Sequence, residues 1–418
     1  MEVFMASTTY AAIHVGSNEL CMKILYVVFI CVLCSCAKGD ELDNKINVCA
    51  AMNSLGKISA QTISSDVKYV VLETNDSTLV GQMPDVCVLD HFILVSSVNQ
   101  CLKLFDRFTG KFIRDIGHVG ADPHGYAKDS WGKVNYWVDY DQNIIYILGW
   151  ANDLISYDLS GNYKDRIGIE NNIRYNLQQS YLCIGHGKLW GHNKLYTSNQ
   201  TSPLFCIDKD SNHIKDITGL PVDLLPMDDL QSVSELLGDY ASYGGDLTMA
   251  SFTNGGKYYT AINSPSLWRF GDDIRLKQAF NDTIYTLSDN GIEPYLIFEL
   301  GDWHWRYQDR LEEDGCEKKM MFDYILENEK YIYFHFHTGF YTKSRQAFCG
   351  LYYKADHKVV LMHGDKLLDT VSSQSFRIRG VSSDGCFVAL LQPDELCDEV
   401  KKKTDCKEED NPVVVILE

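Results

Sequence analysis

The segment CLKLFDRFTGKFIRDIG, Cys101–Gly117, decides the fold because it carries one complete β-hairpin pattern. Two strands of alternating apolar residues flank a turn that begins at an aspartate. The same pattern recurs in DLISYDLSGNYKDRIG (Asp153–Gly168) and PLFCIDKDSNHIKDITG (Pro203–Gly219). Aspartate side chains bond their own backbone in turns and glycine supplies positive φ, so each segment is predicted to form a β-hairpin.

The turn aspartates recur at a nearly constant spacing. Asp106, Asp158 and Asp208 lie 52 and 50 residues apart, and a further pair of apolar strands precedes the first two hairpins. Four strands in about 50 residues is the size of a β-propeller blade. Dividing the chain after Cys36 by this period gives about seven units, or six if one insert is allowed. We therefore predict an all-β fold, a six-bladed β-propeller with about four antiparallel strands per blade.

The last strand and two irregular stretches complete this architecture. The terminal strand Val413–Leu417 needs a partner, and Val67–Glu73 near the start of the propeller is predicted to complete its blade. An apolar stripe at helical spacing in DDLQSVSELLGDYA (Asp228–Ala241) predicts an amphipathic helix. A second short helix is predicted in WHWRYQDRLEED (Trp303–Asp314).

The N-terminal region has the features of an export signal. Met22 and Lys23 precede the apolar run Ile24–Leu33, which has the length of a signal-peptide core and is too short to span a bilayer. The run ends in LCSC, which resembles a bacterial lipobox, so Cys36 is the predicted lipid attachment site. The predicted organisation is a gene-model extension at 1–21, a signal peptide at 22–35, a tether at 36–62 and a propeller at 63–418.

The residues after the lipobox-like motif indicate where in the cell the protein is located. Asp40, Glu41 and Asp43 follow Cys36 closely, and this acidic cluster resembles the surface-export signal of Bacteroidetes lipoproteins. The resemblance implies a cell-envelope protein, an outer-membrane lipoprotein held to the membrane by its lipid anchor and exposed at the cell surface. A multi-acyl anchor binds firmly, because each buried methylene contributes about 0.8 kcal/mol.

Several stretches resemble the six-bladed β-propeller lipoproteins of Bacteroidetes, within the NHL/TolB-like propeller superfamily. They are KYVVLETNDSTLVGQ, LKLFDRFTGKFIRDIGHVGADPHGY, FNDTIYTLSDNGIEPYLIFELG and EEDNPVVVILE. The resemblance covers most of Val67 to Glu418 and implies a six-bladed ring on a lipid tether, without an established reaction. One departure is His124-Gly125, where the family usually has Gly-Glu before the aromatic residue.

Composition excludes some functions. The net charge of −19 repels phosphate backbones, so nucleic acid is not an expected partner. No nucleophile elbow, HExxH, P-loop or dinucleotide fingerprint is present, and we expect no cofactor. Cys397 and Cys406 flank DEVKKKTD and could close a disulfide, whereas Cys87, Cys101 and Cys206, which lie in apolar strand-like runs, are expected to be buried free thiols.

Two groups of residues are candidates for a ligand face. His118, Asp122 and His124 crowd the loop after the first hairpin, and loops at one end of a propeller commonly bind ligands. The alternative is a connection between blades, ordered by proline and glycine. Trp303 and Trp305 could stack on sugar rings if they are exposed, but burial under a neighbouring blade is the favoured interpretation.

His335 and His337 are two apart on a predicted strand and therefore share one face. Two imidazoles can begin a metal site, but no third ligand is visible in the sequence, so packing between blades is favoured.

The leading functional hypothesis is a binding module for a glycan, peptide or partner protein rather than an enzyme. The alternatives are a metal-dependent propeller hydrolase or lyase resembling the gluconolactonase-type enzymes, and a structural subunit of an envelope assembly.

Overall fold

The computed structural model of the chain describes residues 44–168, 177, 180–193, 204–220, 266–278, 280–306, 318–339 and 345–418, and the backbone of three strands between 230 and 262. In the described residues, five sheets have four antiparallel strands, and a sixth has four such strands with the short strand Lys45–Ile46 added at its edge. The prediction of a six-bladed β-propeller is therefore confirmed.

The strands number thirty in the described residues. In chain order they are β1 (Lys45–Ile46), β2 (Val67–Val71), β3 (Asp85–Val88), β4 (Phe92–Ser96), β5 (Leu102–Asp106), β6 (Phe112–Ile116), β7 (Tyr136–Asp139), β8 (Ile144–Leu148), β9 (Asp153–Asp158), β10 (Tyr163–Gly168), β11 (Ser180–Gly185), β12 (Lys188–Asn193), β13 (Leu204–Asp208), β14 (Ile214–Ile217), β15 (Leu230–Leu236), β16 (Asp246–Phe252), β17 (Lys257–Ile262), β18 (Leu267–Phe270), β19 (Asp273–Lys277), β20 (Thr283–Ser288), β21 (Gly291–Phe298), β22 (Met320–Glu327), β23 (Tyr331–Thr338), β24 (Gln346–Tyr353), β25 (Lys358–His363), β26 (Leu367–Leu368), β27 (Ser375–Phe376), β28 (Ile378–Val381), β29 (Phe387–Leu391) and β30 (Val413–Leu417).

Each blade is a meander of consecutive strands. Blades 1 to 3 are β3–β6, β7–β10 and β11–β14, blades 4 and 5 are β18–β21 and β22–β25, and blade 6 is β28–β30 with β2. β11 packs beside β7 and β18, and β28 packs beside β3 and β22. The first strand of each of these blades therefore lies innermost in the ring.

The repeated aspartates build the turns as predicted. Asp106 Oδ1 accepts from the backbone N–H of Thr109 at 2.8 Å, and Asp208 Oδ1 accepts from that of Ser211 at 2.9 Å. Gly110 follows the first of these turns with a φ of 69°, which a residue with a Cβ rarely adopts. The local chemistry of the repeat therefore fixes the third and fourth strands of each blade as a hairpin.

The ring closes by joining the two ends of the propeller sequence. β2 pairs antiparallel with β30, with Val67 opposite Leu417 and Val71 opposite Val413, so the predicted closing blade is confirmed. All five residues of β30 are buried, and β2 and β29 flank it. This blade combines strands about 350 residues apart and removes the free edges of an open sheet.

Apolar faces of neighbouring blades form the core. Between blades 4 and 5, the ring centroid of Phe298 lies 4.6 Å from that of Phe322 and 5.2 Å from that of Phe334. Burying one such side chain contributes about 1.5–3 kcal/mol. The blades are therefore held together by side-chain packing, since the backbone hydrogen bonds are satisfied within each sheet.

The insert between blades 3 and 4 is a β-sheet, and the helix predicted at Asp228–Ala241 is wrong for the part described. Leu230–Leu236 forms β15, which pairs with Asp246–Phe252, and this strand pairs in turn with β17. A short apolar pattern does not distinguish helix from strand, and pairing with β16 overrides the helical preference. The other helix, predicted at Trp303–Asp314, is not formed in the part described. A single 3-10 turn at Gly301–Trp303 ends where the helix should begin, and His304 forms a β-bridge with Met320. The residues from 307 to 314 lie outside the described ranges.

The segment before the propeller packs against it from Ile46 onward. Helix α1 (Val48–Met52) buries Val48 in the core between blades 4 and 5, and helix α2 (Ala60–Ile63) buries Ala60 against blades 5 and 6. This part of the predicted tether at 36–62 is therefore built into the fold. None of the helices in the described ranges is long and apolar enough to cross a membrane.

The disulfide predicted between Cys397 and Cys406 is not formed, because both residues are free thiols. Helix α3 (Asp398–Thr404) lies between them, and its seven residues span about 10 Å at 1.5 Å per residue. The two Cα atoms of a disulfide usually lie less than about 7 Å apart. Cys397 Sγ instead donates to the backbone carbonyl oxygen of Ser372 at 3.2 Å.

Candidate functional site

The loop between β6 and β7 holds three predicted ligand-face residues. His118 Nε2 lies 2.6 Å from Asp122 Oδ2, and both side chains are about half exposed. Hydrogen bonds from His118 and from the backbone of His124 hold the pKa of Asp122 below its usual range. The ring of His124 stacks on Tyr163 of blade 2, with centroids 4.2 Å apart. The structure therefore brings His118 and Asp122 together and places the ring of His124 against a blade.

The two predicted tryptophans of the ligand face are not exposed platforms. Trp305 is only 2 % exposed and packs edge-to-face on Phe280, with centroids 5.3 Å apart. Trp303 is half-buried against the core between blades 4 and 5. Burial under a blade, the favoured interpretation of these residues, matches these positions. The predicted lipid attachment site, Cys36, lies outside the described residues.

One end of the ring carries the segments that join successive blades. Because strands alternate in direction within a blade, these linkers lie at the same end as the turns between second and third strands. We call this the linker end. In blades 1 and 2 it includes the turns 97–101 and 149–152 and the linker 117–135. The backbone N–H of Asn99 donates to the carbonyl oxygen of Gly132 at 2.9 Å and joins the first turn to the linker.

Exposed aromatic side chains also lie at the linker end. Trp150 in the turn of blade 2 is 57 % exposed, and its Nε1 donates to the carbonyl oxygen of Gly120 at 2.6 Å. Trp131 in the linker is 49 % exposed. Met83, which lies beside the turn of blade 1, is also exposed. The hydrogen bond of Trp150 fixes an exposed indole in one orientation.

A second cluster, buried in blade 5, combines Asp323, His335 and His337. Asp323 Oδ2 lies 2.6 Å from Nδ1 of His335 and 2.6 Å from Nδ1 of His337. The pairing of β22 with β23 shifts register between Phe322 and Tyr324, so Asp323 is the extra residue of a β-bulge. A bulge redirects a side chain, and here it places the carboxylate on the histidine face.

The surroundings of this cluster determine its charge. All three side chains are at most 2 % exposed. Burial alone would raise the pKa of Asp323, but hydrogen bonds from the two histidines outweigh burial and lower it. Burial lowers the pKa of His335, which favours its neutral form. The ring of Tyr324 stacks on His335 at 5.3 Å, and its hydroxyl donates to the carbonyl oxygen of Ile378 in blade 6.

Lys277, at the linker end of β19, is also fully buried. Its Nζ donates to the carbonyl oxygens of Gln278, at 2.8 Å, and Asn281. Burial lowers the pKa of Lys277 to about 7. The adjoining cavity, lined in part by Trp305 and Met321, has room for about one water molecule. The amine is therefore enclosed by the protein and has no space for a substrate.

Asp323 and Lys277 were missed by the sequence reasoning. Asp323 is a lone charged residue in the otherwise apolar strand segment MFDYIL. A charge at such a position is costly unless it is paired, so this signal was available. The partners of this charged residue could not be predicted from the sequence, because they lie on another strand.

The sequence matches one family along nearly the whole described chain. The family is described as a domain of unknown function (DUF4934), and the match covers residues 43–418. No curated protein matches the chain.

Solved structures are similar to the chain in fold. A crystal structure of a Bacteroides fragilis protein, described as exported, is similar with a TM-score of 0.57 and 15 % identity, covering 89 % of this chain and 98 % of that one. The β-propeller domain of Myceliophteria thermophila Cps50 (Swd1) has a TM-score of 0.36 and 10 % identity, covering 76 % and 96 %. The computationally designed Ika8 protein has a TM-score of 0.37 and 11 % identity, covering 82 % and 98 %. Only the first of these likenesses is strong enough to support the shared fold.

Proposed function

This chain belongs to the DUF4934 family, described as a domain of unknown function, and from that premise we propose that it is a lipid-anchored envelope module that binds a glycan at the linker end. The observation that carries the proposal is the fixed and exposed indole of Trp150. Aromatic faces stack on the apolar faces of sugar rings, and a pre-oriented ring loses little entropy on binding.

The surroundings of Trp150 favour a glycan over a hydrophobic protein surface. His118 and Asp122, which pair in the loop that receives the Trp150 hydrogen bond, supply polar groups nearby in the chain. Trp131 adds a second exposed ring at the same end. Exposed aromatic rings with polar side chains in the same loop fit a polyol, whereas the cores of protein interfaces are depleted of charged residues.

The proposed location rests on the N-terminal sequence and on one relative. The lipobox-like LCSC predicts lipid attachment at Cys36, and the acidic residues after it favour display at the cell surface. The similar Bacteroides fragilis structure is described as an exported protein. We place the propeller as a head on a lipid anchor in the outer membrane, where glycans are accessible.

The enzyme alternative has no support in the described residues. A gluconolactonase-type site needs acidic and amide ligands that converge from several blades. The described cluster of potential metal ligands comes from blade 5 alone. Its three side chains are at most 2 % exposed, so the described cluster is closed off from a substrate in solution.

Glycan binding is tested with the full chain carrying Cys36→Ser, which keeps the protein free of lipid. Thermal unfolding and affinity electrophoresis are measured with xylan, mannan, pectin, glycosaminoglycans and peptidoglycan fragments. A ligand at a hundredfold excess over its Kd adds about 2.7 kcal/mol to the stability of the folded state. We expect one glycan class to raise the Tm, and Trp150→Ala and Trp131→Ala to remove that shift.

The matched control is Phe108→Ala. Phe108 is 62 % exposed but lies in the turn between β5 and β6, at the opposite end of the ring. This variant should keep the glycan response. A shift that survives both tryptophan substitutions, or the absence of a shift with every glycan, overturns the proposal and favours a protein ligand.

Lipid attachment is tested separately in cells. The wild-type chain should incorporate a labelled fatty acid and sediment with outer membranes, and Cys36→Ser should do neither. Incorporation that is unchanged in the Cys36→Ser variant would show that the anchor is elsewhere.

A further inference from the structure

We infer that Asp323, His335 and His337 form a binding site for a zinc ion, which links the two innermost strands of blade 5. This site is distinct from the proposed glycan surface, and its test does not depend on glycan binding. Among the residues that the structure describes, these three form a group of potential metal ligands whose donor atoms all lie within 4.8 Å of one another.

The donor set suits a metal of the zinc type. Two imidazoles and one carboxylate are common zinc ligands, whereas calcium and magnesium prefer sites built from oxygen alone. Three protein ligands leave one position for a water molecule or another group. The sequence showed two of the three ligands, and the bulge at Asp323 supplies the third.

The carboxylate lies slightly closer to the two histidines than it would in a metal site. With bonds of about 2.0–2.1 Å in a tetrahedral site, neighbouring donor atoms lie about 3.3 Å apart. Asp323 Oδ2 lies 2.6 Å from each histidine Nδ1. The carboxylate must therefore withdraw by less than 1 Å, which a rotation of its side chain provides.

The electrostatics of the cluster favour a bound cation. Asp323 contributes a buried carboxylate beside the Nδ1 atoms of His335 and His337. Asp365 is paired with Arg377, so that pair carries no net charge. A divalent ion would balance the buried carboxylate directly.

The surrounding residues hold the ligands in place. Tyr324 stacks on His335 with an interplanar angle of 8° and is anchored to blade 6 through its hydroxyl. Such outer contacts orient metal ligands and commonly change metal affinity by about 10–100-fold when they are lost. Since Asp323 lies on β22 and the histidines lie on β23, the ion would cross-link these strands.

The first experiment measures metal content in the untagged full chain carrying Cys36→Ser. After incubation with zinc and removal of the unbound metal, we expect about one zinc ion per chain by mass spectrometry. Asp323→Asn, His335→Gln and His337→Gln should each lose the bound zinc. His363→Gln is the matched control, because His363 is exposed in the same blade and should not affect the content.

The second experiment does not depend on the folding of the variants. Cobalt(II) added to the wild-type chain should give the visible d–d absorption of a four-coordinate site, and zinc should abolish it. EDTA should lower the Tm of the wild-type chain by about 3 °C, and zinc should restore it. Absence of zinc after loading, or equal zinc in the wild type and the ligand variants, overturns the proposal and leaves a buried hydrogen-bonded cluster.

Discussion

Two histidine–aspartate contacts in this protein have the same length and very different surroundings. His118 and Asp122 approach within 2.6 Å in an exposed loop, and His335 and Asp323 approach within 2.6 Å inside blade 5. In the loop, water solvates both partners, and an ion pair contributes little. Inside the blade, the same contact decides which groups carry charge, because water cannot compensate for a lost partner. Burial, rather than distance, therefore determines what each contact contributes.

The largest expected effect tests the buried side of this comparison. Asp323→Ala removes the carboxylate that both histidines contact and should lower the free energy of unfolding by about 3–5 kcal/mol. Urea unfolding in the presence of EDTA measures this loss without a contribution from metal, and an unchanged m-value would show that the fold is intact. A loss below about 1 kcal/mol would contradict the role given to burial.

Lys277 extends the test to a buried base. Its pKa is lowered by burial to about 7, so the folded protein binds fewer protons than the unfolded chain between pH 7 and about pH 10.5. Stability should therefore rise with pH in this window, and by about 2 kcal/mol between pH 7 and pH 9 from this group alone. Lys277→Met should remove that part of the rise. Urea unfolding of both proteins at the two pH values measures the difference, and parallel pH profiles would refute it.

His192 in blade 3 gives a smaller effect in the acid range. Burial lowers its pKa to about 4, and its Nδ1 lies 3.0 Å from Ser266 Oγ. The unfolded chain gains a proton near pH 6.5 while the folded form resists protonation, so stability should fall as the pH decreases. We expect a loss of about 1.5 kcal/mol between pH 6.5 and pH 5 from this residue. The His192→Gln variant should show a shallower decline over the same titration.

The smallest effect belongs to the exposed pair. Asp122→Asn should leave the Tm unchanged within error at both low and high salt, because solvent and ions screen this contact. Asp122 lies in the loop that accepts the Trp150 hydrogen bond, so the same substitution can then test ligand binding without a change in stability. A large loss of stability in this variant would remove the contrast between the two contacts.

The repeating part of this protein could be predicted from its amino-acid sequence alone. Turn aspartates such as Asp106, the alternation of apolar residues and the closing strand Val413–Leu417 were all readable, because hairpins depend on neighbouring residues. The six-bladed count followed from the period once one insert was allowed. The insert itself was misread, since a few apolar residues at mixed spacing fit either a helix or a strand until their partner is known.

Only the tertiary structure decided where polar and aromatic side chains ended up. The bulge that brings Asp323 to His335 is defined by pairing with another strand, and the burial of Trp305 and Lys277 depends on neighbouring blades. Trp150 is exposed because its turn lies at the linker end of the ring, where no neighbouring blade covers it in the described residues. Its hydrogen bond to the carbonyl oxygen of Gly120 holds it in the loop after blade 1. Turn chemistry acts over a few residues, whereas the burial or exposure of a side chain depends on segments that are distant in the sequence.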